Sequence, residues 1–301
     1  MNFVAAGLSD VGLQREVNED SFCILPNHRL FIVADGMGGH RAGDVASKMA
    51  TRSISSFFQE TTELDDSTWP FHFDPHLTID ENRLVAGIKL ANRQIFDAST
   101  KDREVHGMGT TVVGALYSRE QRRLYVAHVG DSRAYRIRKG EIKLLTRDHS
   151  LINDYLLVMP DMTDEQMEEL PKNVITRALG MQDSVAVDLA PDEPEQGDVY
   201  VLCSDGLSGM VSDEDIARVV GSTGDDPEQT AKELVRQANE NGGEDNVTVV
   251  VLQFLSSGRE QPQEDETTQE IPDPRFAETT AMKAVRFEDE DPSGSSSGFK
   301  G

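Results

Sequence analysis

Basic residues are scarce in this chain. Its 301 residues carry 29 Lys and Arg against 54 Asp and Glu, a formal net charge of −25. Binding duplex nucleic acid requires a cationic surface that displaces counterions, so nucleic acid is excluded as a partner. Long apolar runs are also missing. None approaches the ~20 residues that cross a bilayer, so no membrane span is expected. Met1 to Asp10 has no basic segment leading into an apolar one. No secretory signal is therefore expected, and the expected location is cytoplasmic. Cysteine is confined to Cys23 and Cys203, each in an apolar stretch and without metal or redox spacing between them. Two reduced, buried thiols are expected, with a disulfide as the lesser alternative.

The length allows one large domain or two modest ones. From Met1 to about Leu255 the sequence alternates between strand-like and helix-like patterns. Residues 256–301 are rich in Glu, Asp, Gln, Pro, Ser and Gly, and such a composition buries too little apolar surface to offset its ordering entropy. The expected organisation is a body over 1–255 and a disordered acidic tail over 256–301.

Leu30 to Ala34, Val199 to Cys203 and Val247 to Leu252 are short continuous apolar runs, as strands covered on both faces would be. Thr110 to Tyr117, Arg123 to Val129, Arg133 to Ile137 and Glu141 to Leu145 follow one another as strands. Lys139-Gly140 suits a hairpin turn between the last two. Short connections of this kind favour antiparallel pairing. Ala42, Val45, Ala46, Met49, Ala50, Ile54, Phe57 and Phe58 repeat at helical spacing, as do Leu84, Ile88, Ala91 and Ile95. A third helix is expected from Pro227 to Asn241. The fold class is α+β: a sandwich of sheets with helices outside.

A solvated surface accounts for most of the acid, but not for carboxylates at the ends of apolar strands. Asn18-Glu19-Asp20, Asp35-Gly36, Ser204-Asp205-Gly206 and Glu244-Asp245-Asn246 all fall at such places. Several carboxylates gathered at one sheet rim repel one another unless a cation offsets them. The donors are all oxygen, which suits Mg2+, Mn2+ or Ca2+ better than Zn2+. Each Asp-Gly on its own is also a common turn.

Taken together, these segments resemble the metal-dependent protein phosphatases of type 2C, the PPM family, in its bacterial serine/threonine subgroup. Ser9-Asp10-Val11-Gly12, Arg15 and Asn18-Glu19-Asp20 resemble the opening motif, and Val33 to His40 resembles the bacterial metal motif. Gly109-Thr110-Thr111, Val129-Gly130-Asp131-Ser132-Arg133, Asp148-His149-Ser150, Ile175 to Gly180, Ser204 to Leu207 and Glu244 to Thr248 follow in the family's order. The resemblance runs from about Phe3 to Leu255. It implies a central sandwich of two antiparallel sheets flanked by helical layers. The activity it implies is hydrolysis of phosphoserine and phosphothreonine on proteins, by attack of a hydroxide bridging two Mn2+ or Mg2+ ions. By position, Asp35 would bridge the ions, with the Gly36 carbonyl, Asp205 and Asp245 on the first and Glu19 and Asp20 supporting the second. Asp131 matches a third, weaker metal site. Arg15 would grip the substrate phosphate. The implied partners are phosphorylated proteins and a cognate serine/threonine kinase.

One departure concerns the proton for the leaving oxygen. Met37 stands where many eukaryotic members of the family have histidine, and His40, three residues on, is expected to be dispensable. Leu151 to Asn173 falls where the family carries a variable flap, and Thr163-Asp164-Glu165-Gln166 begins a short helix there with a capping box. A mobile lid and an inert surface helix are both open readings. In the tail, Glu266-Thr267-Thr268 and Glu278-Thr279-Thr280 offer phosphorylatable pairs that a forkhead-associated domain could read, with low complexity as the plainer explanation. The rival functions are a pseudophosphatase that binds phosphoproteins on the same fold, and a hydrolase of small phosphomonoesters.

Overall fold

Strands whose two faces are both covered alternate between two apolar surroundings rather than between oil and water, and that pattern governs this molecule. A computed structural model describes residues 1–38, 42–61, 70–163, 166–167, 170–171, 174–255 and 280–287. Its first half contains β1 (Phe3–Asp10), β2 (Asp20–Leu25), β3 (Leu30–Met37), α1 (Ala42–Thr61), α2 (Ile79–Lys101), β4 (Gly109–Thr110), β5 (Val112–Ser118) and β6 (Arg123–Val129). Then come β7 (Arg133–Arg138), β8 (Glu141–Leu144), α3 (Leu151–Val158), β9 (Asp188–Asp192) and β10 (Val199–Cys203). The last are α4 (Asp205–Ser208), α5 (Asp213–Thr223), α6 (Pro227–Glu240), β11 (Val247–Phe254) and β12 (Thr280–Phe287).

One sheet runs β12-β1-β11-β10-β7-β8 and the other β2-β3-β5-β6-β9, with β4 paired to the end of β3. Every described pairing is antiparallel. β11 shows how the layers are built. Val247, Val249 and Val251 pack with Ile216, Val219, Leu234 and Val235 of α5 and α6. Val250, Leu252 and Phe254 pack with Phe31, Val33 and Val113 of the opposite sheet. β3 does the same in mirror fashion, turning Leu30, Ile32 and Ala34 toward Ala46, Ile54, Phe58, Leu84 and Ile88 of α1 and α2. This is the expected α+β sandwich with helices on both outer faces.

The three expected helices are present, and α2 carries a full capping box between Thr78 and Glu81. α5 was not anticipated, although Ser212 caps it through the Asp215 N–H and Ile216, Val219 and Val220 form its buried stripe. The strand expected over Thr110 to Tyr117 is divided at Thr111, whose N–H donates to the Asp35 carbonyl instead of continuing the ladder. The hairpin at Lys139-Gly140 holds, with φ of 53° and 83°, the left-handed pair of a type I′ turn. Both cysteines are free thiols. Cys203 is buried, but Cys23 is only half-buried, because β2 is an edge strand.

The tail requires a correction. Thr280–Phe287, inside the segment expected to be disordered, is strand β12 and pairs with β1 from Phe3↔Phe287 to Ser9↔Thr280. The acidic average of the whole tail concealed Ala281, Met282, Val285 and Phe287, which pack against the body. The Phe287 ring is buried, stacks on Phe3 at 4.3 Å and meets Phe31 edge-on at 5.5 Å. Residues 256–279 and 288–301, including Thr267, Thr268 and Thr279, lie outside the described residues, as do Gly39 and His40.

Phe287 is the one buried side chain of β12, so Phe287→Ala should free the strand without unfolding the sandwich. Hydrogen exchange followed by mass spectrometry should show β12 amides exchanging at least ~10-fold faster while β11 keeps its protection. Unchanged protection of β12 would contradict the anchor role.

Candidate active site

Antiparallel pairing brings the acids together. Asp20 opens β2 and lies directly opposite Asp35 near the end of β3. Glu19 immediately precedes β2, Asp131 follows β6, and Asp245 stands two residues before β11. Asp205 opens α4, two residues after β10 ends. The seam of one sheet thus meets the ends of the other at a single rim. Gly36 must lack a side chain there, because a Cβ would collide with the carbonyl oxygens of Gly43 and Glu19. Its N–H donates to Glu19 O at 3.1 Å, locking the two acidic segments side by side.

Neutral side chains hold this arrangement. Asn246 accepts the Glu19 N–H at 2.8 Å and donates to the carbonyls of Val11 and Val17 at 2.9 and 3.0 Å. A single buried amide therefore pins the loop that carries Arg15 at both ends. Asn18 accepts the Asp20 N–H and donates to Ser9 Oγ at 2.9 Å. The Ser204 hydroxyl donates to Asp20 Oδ2 at 2.7 Å, and the Thr248 N–H donates to Ser204 Oγ at 3.0 Å. Thr111 Oγ1 accepts the Asp35 N–H and meets Ser132 Oγ at 2.7 Å. The sequence reading assigned no role to these residues. The signal was present, because Ser204 and Thr248 are polar residues inside or beside wholly apolar strands and are fully buried.

The electrostatics run in one direction. Burial pushes the Asp20 carboxyl up to about 8, and the charges of Asp205 and Asp245 add to this against the hydrogen bonds from Thr248 and Ser204. Burial, then the charges of Asp20, Asp205 and Asp131, holds Asp35 well above the usual carboxylate range. Burial and then Asp245 raise Asp205. Asp131 is pushed up to about 7 by burial, then by Asp205 and Asp148. Glu19 is raised mainly by burial. Such a group of acids is incomplete without positive charge. Arg15 supplies part of it from the solvent side, with Nη2 at 2.7 Å from Asp245 Oδ2 and half of its side chain exposed. Among the described residues, Glu19 Oε1 and Asp131 Oδ1 are buried without a hydrogen-bond partner. Orphaned anionic oxygens in an all-oxygen donor set fit hard divalent cations.

A second cluster, His128, His149 and Asp188, has metal-like spacing. Its hydrogen bonds rule against a metal. His149 Nδ1 accepts the Gly130 N–H at 2.9 Å, so the single proton of the neutral ring sits on Nε2, which then has no lone pair to give. That Nε2 lies 3.3 Å from Asp188 Oδ2, and the Arg177 guanidinium already occupies the cationic place, with Nη1 at 3.0 Å from Nε2 and 2.6 Å from Asp188 Oδ1.

Met37 lies half-buried at the end of β3, paired with Gly109, and offers no proton. In the expected flap, α3 buries none of its residues and leaves Tyr155, Leu157 and Val158 exposed. The capping-box bonds between Thr163 and Gln166 are both present. Asn153 Nδ2 donates to Asp148 O at 3.1 Å, which ties α3 to the segment behind Asp131.

Comparison with known proteins agrees with this geometry. The family profile described as protein phosphatase 2C matches residues 14–248. The chain is 36% identical to the serine/threonine phosphatase stp of Listeria welshimeri, over 84% of this chain and 97% of that protein. The crystal structure of the Mycobacterium tuberculosis serine/threonine phosphatase PstP/Ppp superposes with a TM-score of 0.71 at 34% identity, covering 85% of this chain and all of that one. A PstP catalytic domain in complex with two manganese ions superposes with a TM-score of 0.68 at 32% identity, again covering 85% of this chain and all of that one.

The raised carboxyls give a signed prediction. Asp20 near 8 and Asp131 near 7 keep protons that the unfolded chain, with ordinary values of 3.8, has released. Their stabilisation is complete below the unfolded value and is lost as pH climbs through the folded one. His128 and His149, lowered by burial, are neutral in both states above neutrality and do not offset this. Melts in chelator should therefore fall by about 2–4 °C between pH 7 and pH 8. Saturating Mn2+ should abolish the fall. A chelated melt that stays flat or rises over that interval would contradict the electrostatic picture.

Proposed function

The chain belongs to the protein phosphatase 2C family, and on that premise we propose that it hydrolyses phosphoserine and phosphothreonine in other proteins with a pair of Mn2+ or Mg2+ ions held by its acidic rim. The observation that carries this reading is the meeting of Asp20, Asp35, Asp131 and Asp205 at one rim, every carboxyl raised. Asp35, central to these couplings, would bridge the two ions. Asp205, Asp245 and the Gly36 carbonyl would hold one, Glu19 and Asp20 the other, and Asp131 would contribute to a weaker third. When bound, such a pair acidifies water enough to supply a hydroxide nucleophile near neutral pH.

The remaining work falls to the chain itself. Arg15 sits on a loop open to solvent and anchored at both ends by Asn246, so its guanidinium can exchange Asp245 for the phosphate dianion of a substrate. Asp20 cannot swing away, because Ser204 and Thr248 grip it from the sheet interior. That rigidity preorganises the site before substrate arrives. Cys203 is buried with its thiol pushed up to about 12, which is opposite to what a nucleophilic cysteine requires.

A bacterial serine/threonine kinase is the proposed source of the phosphoproteins. Kinases work where ATP is available, and two free thiols suit the same reducing cytoplasm. Phosphorylated tail threonines would offer a forkhead-associated partner a place to dock. The pseudophosphatase reading is not favoured, since no member of the acidic set has been replaced.

The test is phosphate release from a phosphothreonine peptide, with a sugar phosphate as competitor. The wild-type chain should turn over the peptide with Mn2+, stop with chelator, and be little inhibited by the sugar phosphate. Asp35→Asn should lose at least ~100-fold in kcat, and Arg15→Ala ~10–100-fold in kcat/KM. Turnover that survives chelation, or preference for the sugar phosphate, would overturn the proposal.

A further inference from the structure

Asp131 is suspended between two clamps. On its C-terminal side, Ser132 Oγ bonds Thr111 Oγ1 at 2.7 Å, and Thr111 N–H donates to the Asp35 carbonyl at 2.8 Å. On its N-terminal side, Gly130 is held twice by one residue. Its N–H donates to His149 Nδ1 at 2.9 Å, and its carbonyl accepts the His149 N–H at 3.0 Å. Gly130 has φ +108°, and a Cβ there would come within 2.5 Å of Thr111 Cβ, so the turn admits only glycine and depends on its partners for shape.

His149 is itself fixed. It is 1% exposed and stacks on His128 at 4.8 Å between ring centres, with 13° between the planes. His128 Nε2 donates to Arg147 O at 2.9 Å. His149 Nε2 lies 3.3 Å from Asp188 Oδ2 and 3.0 Å from Arg177 Nη1, and the same Nη1 is 2.6 Å from Asp188 Oδ1. The Gly130 N–H aimed at Nδ1 requires the tautomer whose Nδ1 lone pair is bare, and Asp188 Oδ2 is the acceptor beside the proton that this leaves on Nε2. Burial also lowers the proton affinity of the ring, so the lone pair stays available near neutral pH.

We propose that His149 is a positioning residue that fixes the reach of Asp131 into the acidic rim through the Gly130 peptide N–H. The cluster His128, His149, Asp188 and Arg177 is then a support for the rim, and its function is to keep one nitrogen unprotonated. The inference rests on the reading that Asp131 takes part in holding cations. It adds that a buried histidine with no contact to the carboxylate sets how well Asp131 does so.

Asparagine and glutamine separate this role from packing. Asn at position 149 places its amide oxygen near the Nδ1 position, whereas Gln places its amide near Nε2 and fills more of the histidine's volume. The experiment titrates Mn2+ into the full chain by calorimetry for wild type, Asp131→Ala, His149→Asn, His149→Gln and His149→Ala, with melting curves for each and KM and kcat on a phosphothreonine peptide. Asp131→Ala should weaken the weakest Mn2+ event or remove it. His149→Asn should keep that event within ~3-fold of wild type, while His149→Gln and His149→Ala should weaken it by ~10-fold or more, the usual scale for an outer-shell partner. The tight sites and kcat should change less than the weak site does. If Asp131→Ala leaves Mn2+ uptake intact, the reading of Asp131 fails and the proposal with it. If Asp131→Ala weakens uptake but Asn and Gln behave alike, or Gln rescues better than Asn, then Asp131 stands and the positioning role of His149 is overturned.

Discussion

Asp20, Asp35, Asp131 and Asp205 repel one another across the rim where the two sheets meet, and much of the surrounding structure is arranged around that repulsion. Each is raised first by burial and then by its neighbours' charge. Gathering acids in a low-dielectric seam costs stability rather than adding to it. On the proposed function the gathering has a purpose: acids that repel one another in the metal-free chain would be the donors that hold the ions. Among the described residues, Arg15 reaches the cluster from solvent, while Arg133 and Arg177 are paired with Asp148 and Asp188.

Holding mutually repelling groups in place needs rigid attachment. Strand ends supply it, because their backbones are committed to the ladder. Asp20 and Asp35 face each other as a registered pair, and the sheets behind them are filled with Phe31, Val33, Val250 and Phe254. Neutral donors then set the finer geometry: Asn246, Asn18, Ser204, Thr248 and Thr111 each satisfy a backbone or carboxylate group of the rim without adding charge. His149 belongs to the same class, acting one peptide away from its carboxylate.

The strand-end aspartates were legible because Asp-Gly after an apolar run is conspicuous, and the resemblance put the six acids and Arg15 in order. The layered sandwich was legible from runs such as Val247 to Leu252, where no polar face exists. What stayed hidden depends on distance in sequence. Asn246 joins residues about 230 positions away, and nothing local to it reveals that reach. β12 was hidden by averaging, since eight residues with four apolar contacts disappear within an acidic tail. The support role of His149 was hidden because a histidine's function depends on which nitrogen carries the proton, and that is decided by Gly130 and Asp188 together.

The central claim is that the rim holds a pair of divalent cations between Asp35 and its neighbours. Anomalous diffraction at the manganese edge, from crystals of the full chain grown with Mn2+, tests it most directly. The account predicts two strong anomalous peaks within bonding distance of Asp35, with Asp205 and Asp245 on one and the Glu19–Asp20 segment beside the other. A map without anomalous density at this rim, from protein shown to be folded, would contradict it.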